Sequence, residues 1–366
     1  MKIIMAGLGI FAAGLMSVAY AKTPLGLPPV PVPKNNPITP DKVKLGDKLF
    51  HDKRFSADGT VSCSTCHDVK KAFTDSPLKV SEGIKKRNGT RNAPTVVNAA
   101  YMHSQFWDGR EPDLEGQSAG PFVNPVEMGL PNHEPILKIV RTDPEYKKMF
   151  KQVFNKSGQG IKMRHVKQAI ATFERTIISG NSPFDRYYFG SDKGAMSKSA
   201  VRGLTVFLEQ GRCVSCHTIS QTHALFTDSR FHNLGIGFER INKDVTELAS
   251  AYSKAKKKGI DVDVEVLTNR NTSELGRFVV STEARDMGSF KTPTLRNVAK
   301  TAPYMHDGSL ETLEDVVKFY NNGGRVKESD PVFAFQSGGI RSLDLDDDQI
   351  EDLVVFLEAL TSPEYK

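Results

Sequence analysis

Apolar residues recur three or four positions apart in several stretches of the chain, which is the spacing of a buried face on an α-helix. The clearest stretches are Val166, Ala169, Ile170, Phe173 and Ile177; Leu313, Val316, Val317 and Tyr320; and Ile350, Leu353, Val354, Leu357 and Leu360. Thr312 can cap the second of these helices, and the acidic residues 346–348 favour the start of the third. Long runs of alternating polar and apolar residues are scarce. The pattern therefore predicts an all-α fold with substantial irregular loop.

Two further predicted helices share an internal spacing. One opens at residues 39–41 with a proline in its first turn and runs to residue 50, and the other covers residues 199–207. The shared positions are Gly46, Leu49 and Phe50 in the first helix and Gly203, Val206 and Phe207 in the second. This weak repeat predicts two related units. They would join near residues 180–198, where Ser, Gly, Asn and Pro interrupt the helical pattern.

The first 21 residues have the form of a secretory signal. A basic start is followed by the apolar residues 3–18 and then by Ala19-Tyr20-Ala21, which predicts cleavage after Ala21 and export to the periplasm. A retained anchor is the alternative, although the apolar core is short for a bilayer span. We expect no other segment to cross a membrane. Residues 22–38 are rich in proline and predict an extended lead-in, while the charged residues 240–275 predict a surface excursion.

Composition places the chain among ordinary globular proteins. Of its 366 residues, 39% are hydrophobic and 25% are charged, which argues against disorder and against a membrane bundle. The formal net charge is +6, but no stripe of Lys and Arg alternates with aromatic residues, so nucleic-acid binding is not expected. The excess of basic over acidic side chains is compatible with an acidic protein partner.

All four cysteines fall in two segments of the same form, Cys-x-x-Cys-His. The two thiols of such a segment can add to the vinyl groups of one haem, and the adjacent histidine can then bind the iron as proximal ligand. The residues concerned are Cys63, Cys66, His67, Cys213, Cys216 and His217. Two disulfides and zinc sites are the alternatives. The histidine directly after each second cysteine, together with the predicted export, favours two covalently bound haem c groups.

Further motifs carry a resemblance to a known family. They lie at residues 89–95, 105–110, 117–128, 291–298 and 302–308. With these motifs, the sequence from about residue 38 to its end closely resembles the bacterial dihaem cytochrome c peroxidases. That family includes peroxidases proper and MauG-like enzymes, which use two haems to oxidise a partner protein. The resemblance implies two cytochrome c-like domains: a peroxidatic haem domain at 39–185 and an electron-transfer haem domain at 186–366, with the last helix able to pack back on the first domain.

The resemblance also implies three catalytic roles. Glu127 matches a general acid/base that moves a proton between the two peroxide oxygens, and Gln117 matches a hydrogen-bonding amide beside it. Trp107, the only tryptophan in the chain, matches an indole that relays electrons between the haems. From the residues alone, a surface carboxylate at Glu127 and a core side chain at Trp107 stay open as alternatives.

Other matched positions concern a cation and the haem surroundings. Asn92 and the backbone carbonyls of Thr301 and Pro303 match a calcium site, since oxygen ligands suit that cation. Asn92 could instead cap a turn. His306 is expected either to contact a haem propionate or to be hydrogen-bonded within the interface between the two units.

The loop at residues 81–89 departs from the family pattern. Many members carry a histidine here that closes the peroxidatic iron, whereas this loop has neither His nor Met. A lysine of the loop could bind iron only if it lost its proton through desolvation. We therefore expect the first haem to be open at rest.

A second departure concerns the other haem. Tyr320 stands where the peroxidases place a methionine ligand, and MauG-like enzymes carry tyrosine there. Because Tyr320 also lies on the apolar face of its helix, Met287 and Met305 are kept as substitute ligands. Gly211 stands where MauG has a surface tryptophan.

The expected function is reduction of hydrogen peroxide to water, with electrons from a cytochrome c or a cupredoxin docked over the second haem. A MauG-like oxidase of a partner protein is the first alternative, and a non-enzymatic electron carrier is the second. Relatives are commonly dimers, so a homodimer is also expected.

Overall fold

The computed structural model of the protein describes residues 23–241, 243–326 and 333–366, so the signal predicted at residues 1–21 lies outside the described residues. Its regular structure is mostly helical, as the sequence predicted. The helices are α1 (Pro40–His51), α2 (Cys63–Cys66), α3 (Leu114–Gln117), α4 (Gly120–Val123), α5 (Glu134–Thr142), α6 (Pro144–Phe154), α7 (Met163–Glu174), α8 (Pro183–Tyr188), α9 (Lys198–Leu208), α10 (Val245–Lys257), α11 (Val262–Thr268), α12 (Arg270–Glu274), α13 (Phe278–Ser281), α14 (Leu313–Asn321) and α15 (Asp347–Glu358). Strands β1 (Phe231–His232) and β2 (Phe290–Lys291) pair antiparallel, with Phe231 opposite Lys291.

The first half is built around the crossing of α1 and α7. Thr39 caps α1 by accepting a hydrogen bond from the backbone N–H of Lys42, at 3.3 Å. Gly46 lies at the crossing, where a Cβ atom would come within 2.0 Å of the Ala169 carbonyl oxygen. The absence of a side chain lets the two helices pack backbone to backbone. Around them lies the first apolar cluster, which also takes in α5 and α6.

The second half repeats this arrangement with α9 and α15. Gly203 lies at their crossing, and a Cβ atom there would come within 1.9 Å of the Asp352 carbonyl oxygen. The second apolar cluster surrounds this pair and includes residues of α14. The shared glycine spacing in the sequence thus corresponds to two helix pairs that meet in the same way. The chain after α15 reaches the first cluster, against which Tyr365 packs.

Residues 240–275 are not the surface excursion that their charged composition predicted. They form α10, α11 and α12, and they bury apolar side chains in a third cluster that includes Val245, Tyr252 and Val266. The third cluster contacts the first half as well, since Val126 packs against it and the Thr90 hydroxyl donates to the Val266 carbonyl, at 2.8 Å. The average composition concealed these few apolar positions, which are spread over α10, α11 and the residues that flank the helices.

The proline-rich lead-in packs against both halves. In the described part, Asn36 is buried and its amide nitrogen donates to Glu115, at 2.7 Å. At the other end, the Gly26 carbonyl accepts from Arg296, at 2.6 Å, and Arg296 forms a buried ion pair with Asp185, at 2.9 Å. The lead-in therefore ties the two helix pairs together. Within the described ranges, no helix combines the length and the apolar character that a bilayer span requires.

Candidate haem and peroxide site

Each Cys-x-x-Cys-His segment lies in a short helical turn. Cys63 and Cys66 lie at the two ends of α2, and Cys213 begins a 3-10 turn that ends at Ser215. One turn separates the two thiols of each pair. No disulfide links any two of the four cysteines. This spacing suits attachment to two vinyl groups of one porphyrin.

The two histidines are held in the same way. The Nδ1 atom of His67 lies 3.1 Å from the Phe73 carbonyl oxygen, and that of His217 lies 2.8 Å from the Phe226 carbonyl oxygen. Burial lowers the pKa of both imidazoles, so both are neutral at pH 7. With Nδ1 donating to a carbonyl, Nε2 is the free nitrogen for a metal, which is the usual arrangement of ligating histidines.

The carbonyl partners of these histidines belong to a repeat that our sequence analysis missed. Residues 73–76 and 226–229 both read Phe-Thr-Asp-Ser, each following a Cys-x-x-Cys-His segment. Asp228 of the second copy pairs with His232, at 2.8 Å. The carboxylate oxygens of Asp75, in the first copy, are buried and have no hydrogen-bond partner in the described part of the chain. The Phe-Thr-Asp-Ser repeat is visible in the sequence, but only the fold shows that the Phe carbonyl of each copy orients the neighbouring histidine.

A cavity of about 600 Å³ adjoins the second segment. Cys213, Cys216 and His217 line it, together with mostly apolar side chains of both halves. Thiols and a neutral imidazole at an apolar cavity of this size fit a covalently held porphyrin. Ser215 within the segment and Thr218 directly after it are both exposed, so this cavity lies close to the protein surface.

Tyr320 and Met305 also line this cavity. Burial, followed by the nearby thiols of Cys213 and Cys216, raises the pKa of the Tyr320 phenol. The phenol is therefore neutral without a cation, and it would need the charge of an iron to ionise. Met287 is different, because it is buried in the third cluster. Among the described residues that line the cavity, Tyr320 and Met305 are the candidate ligands, and which of them would bind the iron stays a prediction.

Trp107 joins the first half to the cavity of the second. Its indole lines the cavity, and its N–H donates to the Asn92 carbonyl, at 2.9 Å. The Trp107 carbonyl accepts from the backbone N–H of Lys291 in β2, at 2.8 Å. Trp107 is thus held through its indole by the first half and through its backbone carbonyl by the second half. This position suits a role in passing electrons across the interface between the halves.

Glu127 lies in a turn that follows α4 and folds back on it. The turn is closed by hydrogen bonds from Met128 N–H to the Pro121 carbonyl and from Leu130 N–H to the Phe122 carbonyl, at 3.2 and 2.9 Å. The Oε2 atom of Glu127 is buried and has no hydrogen-bond partner in the described structure. Burial, with a smaller contribution from Asp263, raises the pKa of Glu127 to about 8. After burial and Asp75, the Glu127 charge also raises the pKa of Cys66 to about 12, so it lies near the first Cys pair.

Gln117 and Glu127 flank the same short helix. Gln117 is the last residue of α3, directly before α4, and its side chain is half-buried. The described contacts include no hydrogen bond between the two side chains. The structure therefore brings both residues to α4, and a direct interaction between them stays a prediction.

The three residues matched to a calcium site all line the large cavity. The Asn92 amide nitrogen donates to the carbonyls of Leu78 and Lys79, at 3.3 and 3.2 Å, so its amide oxygen is directed elsewhere. Thr301 and Pro303 lie on the second half. An amide oxygen and two carbonyls are ligands of the kind that calcium prefers.

His306 is held inside the interface between the halves. Its Nε2 atom lies 2.9 Å from Glu274, and its ring stacks on Phe290 with centroids 3.7 Å apart. The ring is buried and also lines the large cavity. The ring hydrogen bond thus lies within the second half, and the contact between the halves is the one that the Asn92 N–H donates to the His306 carbonyl, at 2.8 Å. A contact of the ring with a haem propionate stays a prediction.

The loop at residues 81–89 lies against the Glu127 turn. Ile84 N–H donates to the Glu127 carbonyl, at 2.8 Å, and a Cβ atom at Gly83 would come within 2.0 Å of the Val126 carbonyl oxygen. The side chains of Lys85 and Lys86 are exposed. Exposure of both side chains to solvent argues against either lysine as an iron ligand.

Comparison with known proteins agrees with this geometry. The sequence profile of the family described as di-haem cytochrome c peroxidase matches residues 40–193. A cytochrome-c peroxidase, IdrP1, of Denitromonas iodatirespirans is 36% identical over 345 residues, which cover 93% of this chain and 87% of the relative. The chain belongs to the dihaem cytochrome c peroxidase family. Membership makes the protein an oxidoreductase and implies haem c.

Other relatives of this chain represent the second branch of the family. The methylamine utilization protein MauG of Methylorubrum extorquens is 34% identical over 331 residues, covering 90% of this chain and 81% of MauG. The crystal structure of a MauG-like protein associated with microbial copper homeostasis has a TM-score of 0.75 and 31% identity, covering 94% of this chain and 98% of that one. The comparisons thus include both peroxidases and MauG-like proteins.

Proposed function

We propose that this dihaem peroxidase reduces hydrogen peroxide to water in the periplasm, with electrons from a small redox protein such as a cytochrome c or a cupredoxin. The observation that carries the proposal is Glu127, a half-buried acid beside the first Cys pair, whose Oε2 atom is buried and has no hydrogen-bond partner in the described part of the chain. A pKa of about 8 is close to a neutral working pH, where a proton acceptor and donor is most effective.

The proposal assigns one covalently bound haem c to each Cys-x-x-Cys-His segment. The residues that would hold the two haems are Cys63, Cys66 and His67, and Cys213, Cys216 and His217. When bound, the haems supply the iron that accepts peroxide and the centres that store and pass on electrons. A calcium ion held by Asn92 and the carbonyls of Thr301 and Pro303 would join the two halves beside them.

The residues of the chain then have separate tasks. The Glu127 carboxylate takes a proton from one peroxide oxygen and returns it to the other, so that the O–O bond breaks with water as leaving group. Gln117 orients the peroxide through its amide. Trp107 carries electrons between the two centres. One peroxide with two electrons and two protons gives two molecules of water.

Electrons would enter at the second centre. Ser215 and Thr218 are exposed beside Cys216 and His217, so a donor protein docked there would approach the second haem closely. Steady-state oxidation of reduced cytochrome c, or of a reduced cupredoxin, on addition of hydrogen peroxide tests the proposal. We expect two donor molecules to be oxidised for each peroxide consumed, and no peroxide-dependent oxidation of either donor would refute it.

A MauG-like oxidase of a partner protein is the second candidate, and Tyr320 at the cavity favours it. Gly211, which also lines the cavity, provides no aromatic side chain for passing oxidation outward. A stable oxidised state after peroxide, with no turnover of either donor, would favour this candidate over the peroxidase.

The Tyr320→Phe variant should change the absorption spectrum of the second haem and raise its midpoint potential by about 100 mV or more, because an anionic oxygen ligand stabilises the oxidised iron. Tyr304→Phe is a matched control, since Tyr304 lines the same cavity and donates its hydroxyl to the Val298 carbonyl, at 3.1 Å. Redox titration followed by absorption spectroscopy measures both variants. An unchanged Tyr320→Phe spectrum, or the same change in both variants, would remove Tyr320 as a ligand.

The resting enzyme should have an open first haem. The loop at residues 81–89 contributes no His or Met, and its lysines at 85 and 86 are exposed. Electron paramagnetic resonance of the oxidised protein as isolated should therefore show one high-spin ferric signal beside one low-spin signal. Two low-spin, six-coordinate centres would contradict this expectation.

A further inference from the structure

Asp263 belongs to the second half in sequence but contacts the first half in the structure. It lies in the first turn of α11, in the segment whose charged composition predicted a surface excursion. Its Oδ1 atom lies 2.6 Å from Nη2 of Arg110, and its Oδ2 atom accepts from the Asn124 amide, at 2.8 Å. One carboxylate thus connects two separate loops of the first half.

The first of these loops is the turn that holds Glu127. The Asn124 side-chain oxygen accepts from the Val126 N–H, at 3.1 Å. The Asn124 backbone carbonyl accepts from the N–H groups of Glu127 and Gly129, at 3.2 and 2.9 Å. Asn124 is fully buried and organises the whole turn. Asp263 therefore fixes the residue on which the position of Glu127 depends.

The second loop holds Trp107. Arg110 stacks over the Phe106 ring, with its guanidinium carbon 3.5 Å from the ring centroid, and pairs with the buried Asp108, at 3.1 Å. Although burial alone would lower it, Asp108 and Asp263 raise the pKa of Arg110, so the guanidinium stays charged. Asp263 thus holds the loop of the electron relay as well as the turn of the proton carrier.

Asp263 also affects the charge balance at Glu127. Two charged groups face the Glu127 carboxyl from the packed elements: Asp263, which raises its pKa after the larger effect of burial, and Arg110, which lowers it. Neutralising Asp263 removes the charge that raises the pKa of Glu127. The positive charge of Arg110, which lowers this pKa, is then no longer opposed by the Asp263 carboxylate. Both consequences lower the pKa of Glu127.

We propose that Asp263 is a positioning residue of the peroxide site, which reaches from α11 to hold both the Glu127 turn and the Trp107 loop in place. This inference rests on the proposed role of Glu127. Removal of the charge should change the pH at which Glu127 gains its proton, while removal of the whole side chain should also loosen both loops.

Infrared spectroscopy of the haem-loaded protein measures the first effect. The carboxylic acid band of Glu127 is identified as the one that Glu127→Gln removes, and its titration is compared between the native protein and Asp263→Asn. We expect the titration, and the low-pH limb of peroxide turnover, to move down by about one pH unit. Glu265→Gln is the control, because Glu265 lies on the same helix and bonds to Asn269 and Thr272 instead. Glu265→Gln should shift neither the Glu127 titration nor the low-pH limb of peroxide turnover.

Hydrogen exchange measures the second effect and provides an independent arm. Asp263→Ala should speed amide exchange in residues 124–129 and 105–111. Asp263→Asn, whose amide has a single acceptor oxygen and so can keep only one of the two contacts, should speed exchange in one of these segments at most. Unchanged titration in Asp263→Asn together with unchanged exchange in Asp263→Ala would refute the proposal. If Glu127→Gln kept full turnover, the proposed function would fail, while the infrared titration would still decide whether Asp263 acts on Glu127.

Discussion

Replacing Glu127 with Gln lowers peroxide turnover by about 10²- to 10⁴-fold, which is the usual contribution of a positioned proton carrier. The substitution keeps the size of the side chain and removes its ability to accept and return a proton. Because Oε2 of Glu127 has no hydrogen-bond partner in the described structure, the change breaks no contact of that oxygen. Haem content and thermal stability should therefore be unaffected, and stopped-flow measurement of peroxide consumption gives the rate.

The pH dependence follows from the same group. The carboxylate form of Glu127 accepts the proton of peroxide, and burial raises the pKa of this group to about 8. Turnover should therefore rise with pH through about 8 and fall as the group becomes protonated below it. Glu127→Gln should remove this limb from the pH–rate profile.

Glu174→Gln is the matched control for this experiment. Glu174 is another buried acid, at the end of α7, and burial raises its pKa to about 8 as well. Both variants therefore lose a carboxyl group whose pKa is raised by burial. Glu174→Gln should keep turnover within a few fold. Equal losses in the two variants would show that Glu127 has no special role in the chemistry.

Replacing Gly46 with Ala should destabilise the protein by about 2 to 4 kcal/mol, because its Cβ atom would lie 2.0 Å from the Ala169 carbonyl oxygen and force α1 away from α7. Gly203→Ala should have the same effect in the second half, where the corresponding distance to the Asp352 carbonyl oxygen is 1.9 Å. Backbone atoms on both sides of each contact leave no flexible side chain to yield. Chemical denaturation followed by circular dichroism measures the loss.

Gly160→Ala is the control for the helix crossings. Gly160 is exposed, and a Cβ atom there would meet only the Lys156 side chain, at 3.8 Å. Its free energy of unfolding should change by less than about 1 kcal/mol. A loss in Gly46→Ala or Gly203→Ala no greater than that of the control would show that the helices do not depend on close backbone contact.

The helix pairs show how far the sequence could predict the fold. Helical spacing and caps are local properties, so the patterns at residues 39–50, 166–177 and 350–360 predicted α1, α7 and α15 directly. The shared spacing around Gly46 and Gly203 predicted two related units, and the structure shows its physical basis, since each glycine lies where two helices cross with their backbones in contact. The surface excursion predicted for residues 240–275 was wrong, because their few apolar residues form a core only where α10, α11 and α12 pack together.

The sequence by itself determined the helical class and the family, and it predicted the residues that would hold two haems, because helical periodicity and the family's motifs are patterns of residue types at short spacings. Only the tertiary structure decided which of those residues meet. Asp263 reaches Arg110 across 153 positions, and the raised pKa of Glu127 results from burial by surrounding segments. Burial and long-range contact depend on the whole packed chain, and no local pattern in the sequence encodes them.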